Sequence, residues 1–156
     1  MAKPTRKNIV EELLKSYSME LETVTNYLSN SINLDGVRAE EIKKSLAADI
    51  TEELMHAKQL GDRIKQLGGS VPGSLKLKFG QVALQPPNDT TDVISVIVGV
   101  IKAEEGAVAQ YNKIIRLCEG DDYVTQDLCI RLLSSEEAHR VMFEGFLKEY
   151  RKKSSR

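Results

Sequence analysis

Both histidines of this chain stand in the same four-residue frame, Glu53-Leu54-Met55-His56 and Glu136-Glu137-Ala138-His139. On a helix, residues three apart share a face, so each frame aims a carboxylate and an imidazole at one point. Hard carboxylate oxygens with imidazole nitrogens suit iron or manganese. In a chain that is 29% charged, one such frame would mean little. Two frames that use every histidine, each inside a long helical pattern, point to a shared centre. A glutamate from each of two helices, plus a Glu-x-x-His from each of two others, is the ligand arrangement of a dinuclear metal site in a four-helix bundle. The spacing therefore asks for two further helices, each with one glutamate on its core face.

Both are present. The inward series of the first periodic segment reads Val10, Leu13, Tyr17, Glu20, Val24, Tyr27, in alternating steps of three and four. That of the third reads Ile97, Ile101, Glu104, Val108, Tyr111, Ile115, Cys118. Glu20 and Glu104 each interrupt an otherwise apolar or aromatic stripe. A lone core carboxylate costs several kcal/mol in lost hydration, on the order found for buried ions generally. Two dications would balance four carboxylates and remove that cost. Neighbouring acids Glu22, Glu52, Glu105 and Glu137 would replace the candidates if a helix were rotated by one residue. Glu22 and Glu52 lie off the apolar stripes, and Glu105 remains the alternative to Glu104.

The elements that must position these residues follow from periodicity and punctuation. The chain of 156 residues has no tryptophan, three phenylalanines and four prolines, and is read as a single domain over 1–156. Helices are expected over about 7–33, 38–67, 91–119 and 122–151. Asp35-Gly36 and Gly68-Gly69 are stop signals, and Asp89-Thr90-Thr91-Asp92 is N-cap chemistry. Between about 70 and 90 the periodicity disappears under Pro72, Gly73, Gly80, Pro86 and Pro87, while Leu75-Lys76-Leu77-Lys78-Phe79 alternates as an extended segment does. A loop of this length in a compact domain needs a reason. Parallel second and third helices supply one, because the chain must travel the bundle's length, ~40 Å for nearly thirty helical residues. The expected fold is all-α: a four-helix bundle with one long crossover between the second and third helices.

Other classes find less support. The formal net charge is −1, so no global field draws nucleic acid or anionic membrane. No apolar run approaches a membrane span, and Met1–Lys7 lacks the apolar segment of a signal peptide, so a cytoplasmic protein without membrane association is expected. Cys118 and Cys129 do not make a disulfide framework and read as small buried apolar residues.

From about Lys7 to Tyr150 the residues resemble the ferritin-like superfamily, specifically bacterioferritins and Dps-like proteins that carry a bacterioferritin-type diiron site in each subunit. Glu20-Leu-Glu-Thr-Val-Thr-Asn-Tyr27 is similar to the bacterioferritin first helix, in which a ligand glutamate precedes a tyrosine by seven residues. Glu53-Leu-Met-His56-Ala57 resembles the second-helix ligand motif. Tyr123-Val-Thr-Gln-Asp and Ser-Glu136-Glu-Ala-His139 follow the fourth-helix pattern. The resemblance implies ferroxidase chemistry with two iron ions per subunit, manganese or zinc being alternatives. Fe(II) would be oxidised by O2 or H2O2, and ferric mineral deposited in a homo-oligomeric shell of twelve or twenty-four subunits. It also implies that no haem is bound, because the position of the haem-ligating methionine is Leu54. The third-helix glutamate is one residue out of register with bacterioferritin, which a loop shorter by one residue would explain.

Within this reading Glu53 and Glu136 are the natural bridging ligands, since each sits one turn from a histidine. Glu20 and Glu104 are then terminal, and His56 and His139 each serve one metal. Tyr27 and Tyr111 face the same core. Partners that would hold the outward nitrogens of the histidines are sought among Asp49, Asp127 and Gln126. Glu40, Glu41, Glu52 and Asp62 are candidate acids for nucleating mineral. Two alternative functions share these features: a manganese catalase or rubrerythrin-like peroxidase, and a Dps-like DNA-protecting protein. The last rests on the basic tail Lys148, Arg151, Lys152, Lys153 and Arg156, which reads first as a solvated terminus.

Overall fold

Long amphipathic segments closed by capping residues give four α-helices in a computed structural model that describes residues 5–154: α1 (Arg6–Asn33), α2 (Glu40–Gln66), α3 (Val93–Cys118) and α4 (Tyr123–Ser154). The side chain of Lys153, and Arg156 altogether, lie outside the described residues. Thr5 and Asn8 form a capping box at the start of α1. The α2 terminus is a Schellman motif: Gly69 N–H donates to Ile64 O at 2.9 Å, and Gly68 N–H to Lys65 O at 3.0 Å. Gly68 takes φ +87 there, where a side chain would be strained. The Asp92 carboxylate accepts from Ser95 N–H and starts α3 two residues later than the Thr-Thr pair suggests. The Asp122 carboxylate accepts from Thr125 N–H at 3.0 Å at the head of α4.

Hydrogen bonds that join distant segments set the topology. Asp35 N–H donates to Thr90 O at 2.9 Å, so α3 begins where α1 ends and the two run antiparallel. Arg63 near the end of α2 donates to Asp122 Oδ1 at 2.8 Å, and Arg38 ahead of α2 donates to Tyr150 O at 3.2 Å. Helix α4 therefore runs antiparallel to α2 as well as to α3. Helices α2 and α3 are parallel, and the crossover traverses the bundle as expected.

The crossover is held by side chains of α1 rather than by its own secondary structure. Ser18 Oγ donates to Lys78 O at 3.1 Å, Asn30 Nδ2 to Leu84 O at 3.0 Å, and Gln81 N–H to Glu22 Oε1. Ser74–Lys76 is a single 3-10 turn with Leu75 fully exposed, not the extended segment that the alternation predicts. Leu84 is fully buried. The crossover closes on α3 at Gly99, where a Cβ would stand 2.4 Å from Ala83 O. Only glycine permits that approach.

The interior divides in two. One apolar cluster contains Tyr27, Leu34, Ile42, Leu46, Leu84, Ile97 and Phe143. The other contains Leu13, Leu60, Ile64, Tyr111, Ile114, Cys118, Cys129 and Leu132. Both cysteines are fully buried. Between the clusters, halfway along the bundle, lies a layer of acids and imidazoles. Among the described residues no helix is long and apolar enough to cross a membrane.

Candidate metal centre

All four helices bring their candidate side chains into this layer. Glu20 comes from α1, Glu53 and His56 from α2, Glu104 from α3, and Glu136 and His139 from α4. Each is no more than 6% exposed. Glu105 and Glu137 point to solvent, so the third helix presents Glu104. Glu22 is also buried, but under the crossover, where it holds Gln81 N–H.

The six side chains form two overlapping sets of potential ligands. Glu20, Glu53, His56 and Glu136 offer atoms that all lie within 4.8 Å of one another, and so do Glu53, Glu104, Glu136 and His139. The shared members are Glu53 and Glu136. His56 Nδ1 stands 2.8 Å from Glu136 Oε1, 3.4 Å from Glu53 Oε2 and 3.9 Å from Glu20 Oε2. His139 Nδ1 stands 3.1 Å from Glu53 Oε1 and 3.7 Å from both Glu104 Oε1 and Glu136 Oε2. Both imidazoles thus turn the same nitrogen inward.

Five of the inward atoms lack a well-aligned hydrogen bond despite this close approach. Both oxygens of Glu53, Glu136 Oε1 and the Nδ1 atoms of His56 and His139 are buried without a hydrogen-bond partner. Unpaired buried polar atoms are rare and costly. Five of them converging on two points is what a pair of cations would satisfy, and the all-oxygen and imidazole donor set fits iron or manganese.

The electrostatics of the six groups divide them into three pairs. Burial drives the carboxyl of Glu20 well above its ordinary range, and pushes that of Glu104 up to about 9. At Glu53 and Glu136 burial also raises, but the adjacent imidazoles outweigh it and hold both carboxylates low. Burial opposes the charged form of His56, yet Glu136, Glu20 and Glu53 raise it to about 12. His139 is raised against burial by Glu104, Glu136 and Glu53. Among these six groups the shifts favour, without metal, two carboxylates, two imidazoliums and two protonated acids, which sum to zero charge. Two dications on four carboxylates and two neutral imidazoles are also neutral, at the release of four protons.

Glu20 and Glu104 are each held by a tyrosine from the opposite helical hairpin. The Tyr27 hydroxyl donates to Glu104 Oε1, and the Tyr111 hydroxyl to Glu20 Oε1. Glu20 and Tyr27 are seven residues apart, as are Glu104 and Tyr111. This repeated interval is a sequence signal that would have separated Glu104 from Glu105.

Sequence reasoning missed the group that orients His139. Glu52 Oε2 lies 3.0 Å from His139 Nε2, and its Oε1 lies 3.8 Å from His56 Nε2. Ser135 Oγ donates to the same carboxylate. Asp49 stands farther off, 3.8 Å from His139 Nε2. Asp127 pairs with Arg131 on the surface, and Gln126 donates to Ile115 O, so neither orients a histidine. Among the acids proposed to nucleate mineral, Glu40, Glu41 and Asp62 are exposed and paired with Lys43, Lys44 and Lys58.

A family model described as ferritin-like domain matches residues 10–153. The bacterioferritin of Desulfovibrio desulfuricans is 27% identical over 142 residues, covering 90% of this chain and 74% of that protein. The DNA protection during starvation protein of Pyrococcus furiosus is 28% identical over 145 residues, covering 90% and 77%. Among solved structures, the dodecameric thioferritin of Bacteroides fragilis, a bacterioferritin-related protein, aligns with a TM-score of 0.82 at 20% identity. That alignment covers 98% of this chain and 92% of the other, and is a likeness of fold.

Proposed function

We propose that this chain, which belongs to the ferritin-like domain family, is a ferroxidase that oxidises pairs of ferrous ions between its four helices and stores the ferric product. The observation that carries this reading is the pair of overlapping ligand sets that share Glu53 and Glu136. Glu20 and His56 would hold one ferrous ion and Glu104 and His139 the other, with Glu53 and Glu136 available to both. Each ion yields one electron. The pair therefore matches the two electrons that convert O2 and two protons to H2O2, or H2O2 and two protons to two waters.

The residues prepare this exchange. Glu52, itself held by Ser135, takes up the outward nitrogen of His139, and the Nδ1 atoms of both histidines face inward. Tyr27 and Tyr111 each occupy one oxygen of a terminal carboxylate and leave the other free. The apolar clusters on either side exclude bulk water and strengthen every charge interaction in the layer. Leu54, half exposed on the outer face of α2, offers no ligand to haem, and none belongs to this reading.

A single bundle encloses no space for mineral, so storage requires a closed shell of subunits. The dodecameric relative supports this assembly. Anaerobic titration with Fe(II), followed separately by O2 and by H2O2, tests the function. Two ions bound per subunit and rapid oxidation are expected, with His56→Ala and His139→Ala each lowering stoichiometry or rate. Absence of bound metal after ferrous loading overturns the reading. Peroxide disproportionation without iron oxidation would favour a catalase.

A further inference from the structure

The two histidines are alike on their inner sides and unlike on their outer sides. Glu52 stands one residue before Glu53 and four before His56, and Ser135 stands one before Glu136 and four before His139. Residues four apart share a helix face, so each position flanks the histidine of its own helix. Glu52 serves the other helix: His139 Nε2 donates to its Oε2 at 3.0 Å. If the two halves matched, an acid at position 135 would reach back to His56 in the same way. The chain has serine there, and the Ser135 hydroxyl donates to Glu52 Oε1 instead.

His56 is thereby left with the poorer support. Its Nε2 lies 3.8 Å from the oxygen that Ser135 already engages, beyond hydrogen-bond reach. No other group among the described residues hydrogen-bonds this nitrogen. His139, by contrast, has a second acid behind it, Asp49 at 3.8 Å. The inner partners show no such difference. Tyr27 holds Glu104 as Tyr111 holds Glu20, and both halves share Glu53 and Glu136. An imidazole whose outer N–H is held by a carboxylate has its ring orientation and tautomer fixed, with the inner lone pair aimed at the site. One without that partner gives up rotational freedom on binding a metal, and affinity falls accordingly.

We propose that Ser135 is a positioning residue that commits Glu52 to His139, so that the half formed by Glu104 and His139 takes the first ion and the half formed by Glu20 and His56 the second. The proposal rests on the metal-site reading above. Ser135 belongs to neither ligand set. It acts through Glu52, pinning one carboxylate oxygen and so presenting the other to His139.

The chain has two histidines, so labelling histidine with nitrogen-15 gives two imidazole signals, one for each half. Magic-angle-spinning NMR reads them in an assembly of any size, and the signal missing from metal-free His56→Gln assigns both. Metal-stripped full-length protein is titrated with Zn(II), which is diamagnetic and requires no turnover. At one Zn(II) per subunit the His139 signal is expected at its bound position and the His56 signal at its metal-free one. The second equivalent should then move His56. In calorimetry, Ser135→Ala should weaken the first binding step by about threefold or more, within the range of a single hydrogen bond, and leave the second unchanged. Ser135→Thr keeps the hydroxyl and should restore the first step. Signals that move in proportion, or a His56 signal that moves first, overturn the proposal. So does a Ser135→Ala titration that matches wild type or weakens both steps equally. A wild-type protein that binds no Zn(II) refutes the metal centre itself, a result distinct from binding without order.

Discussion

Removing metal should make the protein less stable as pH rises from 7 to 8.5, and restoring metal should abolish that slope. Glu20 and Glu104 have native pKa values above their unfolded ones, and so do His56 and His139. A raised native pKa means that the folded state holds a proton which the unfolded state has released. Stabilisation from such a group is complete below the unfolded value and is lost as pH climbs through the native one. An unfolded histidine has released its proton above about 6.5, whereas native His56 keeps its own until about 12. Glu104 keeps its proton until about 9. Glu53 and Glu136 are shifted down, so their contribution is complete well below pH 7 and adds no slope here. Each excess native proton costs about 1.4 kcal/mol per pH unit. For a chain of this size that is a fall in Tm of roughly 3–5 °C per unit for each proton. Thermal unfolding followed by circular dichroism, in EDTA-treated protein and in protein loaded with Co(II), measures the slope. Loading should also release up to four protons per subunit in weakly buffered solution. A flat or rising apo profile, or metal binding without proton release, would refute the charge assignment of the layer.

Glu52→Ala should weaken Co(II) binding by about 10–100-fold, since outer groups that orient metal-binding histidines commonly carry that much affinity. Unchanged affinity in a Co(II) titration would remove Glu52 from the site. Gly99→Ala should destabilise the protein by about 1–3 kcal/mol, because the added Cβ meets backbone of the crossover at 2.4 Å. A wild-type Tm would show that the crossover yields freely. Static light scattering should return a mass many times 17.4 kDa. A monomer or dimer that still oxidised iron would leave the enzyme and remove storage. Protein purified from haem-replete cells should show no Soret band, and its presence would point to Met55 or Met19 as the ligand.

The helices and the acid layer were legible because both rest on repetition. Periodicity integrates over about twenty-five residues per helix, and a glutamate in the stripe of Tyr17, Val24 and Tyr27 stands out against its neighbours. Residues outside such a stripe carry no comparable signal. Glu52 is an exposed acid beside a core acid, and its type does not distinguish it from Glu137, which faces solvent. Its role depends on the rotation of α4 that brings Ser135 and His139 opposite, a tertiary fact. The crossover was legible as a length and not as a conformation. Its attachments are side chains of α1 to backbone groups of the crossover, as at Ser18 and Asn30, and backbone partners leave no mark on sequence. Gly99 is likewise an ordinary helix glycine until Ala83 is placed against it.

The repeated intervals explain why a polar layer can persist through the middle of this core. Glu20, Tyr27, Glu53 and His56 occupy α1 and α2 as Glu104, Tyr111, Glu136 and His139 occupy α3 and α4. The interval from first to second glutamate is 33 residues in one half and 32 in the other. Neither half completes its own site. Tyr27 serves Glu104 and Tyr111 serves Glu20, while the inward Nδ1 of His56 lies closest to Glu136 and that of His139 to Glu53. A lone half would bury two carboxylates and an imidazole with few partners, at a cost of several kcal/mol per ion. Docking the halves supplies each group with its counterpart from the other, so the acids that burden an isolated helical hairpin specify which hairpin it pairs with and in what register. The apolar clusters above and below provide the adhesion, and the layer between them fixes alignment. The two potential ligand sets draw on a register that assembly of the bundle has already set, because their shared members Glu53 and Glu136 come one from each half.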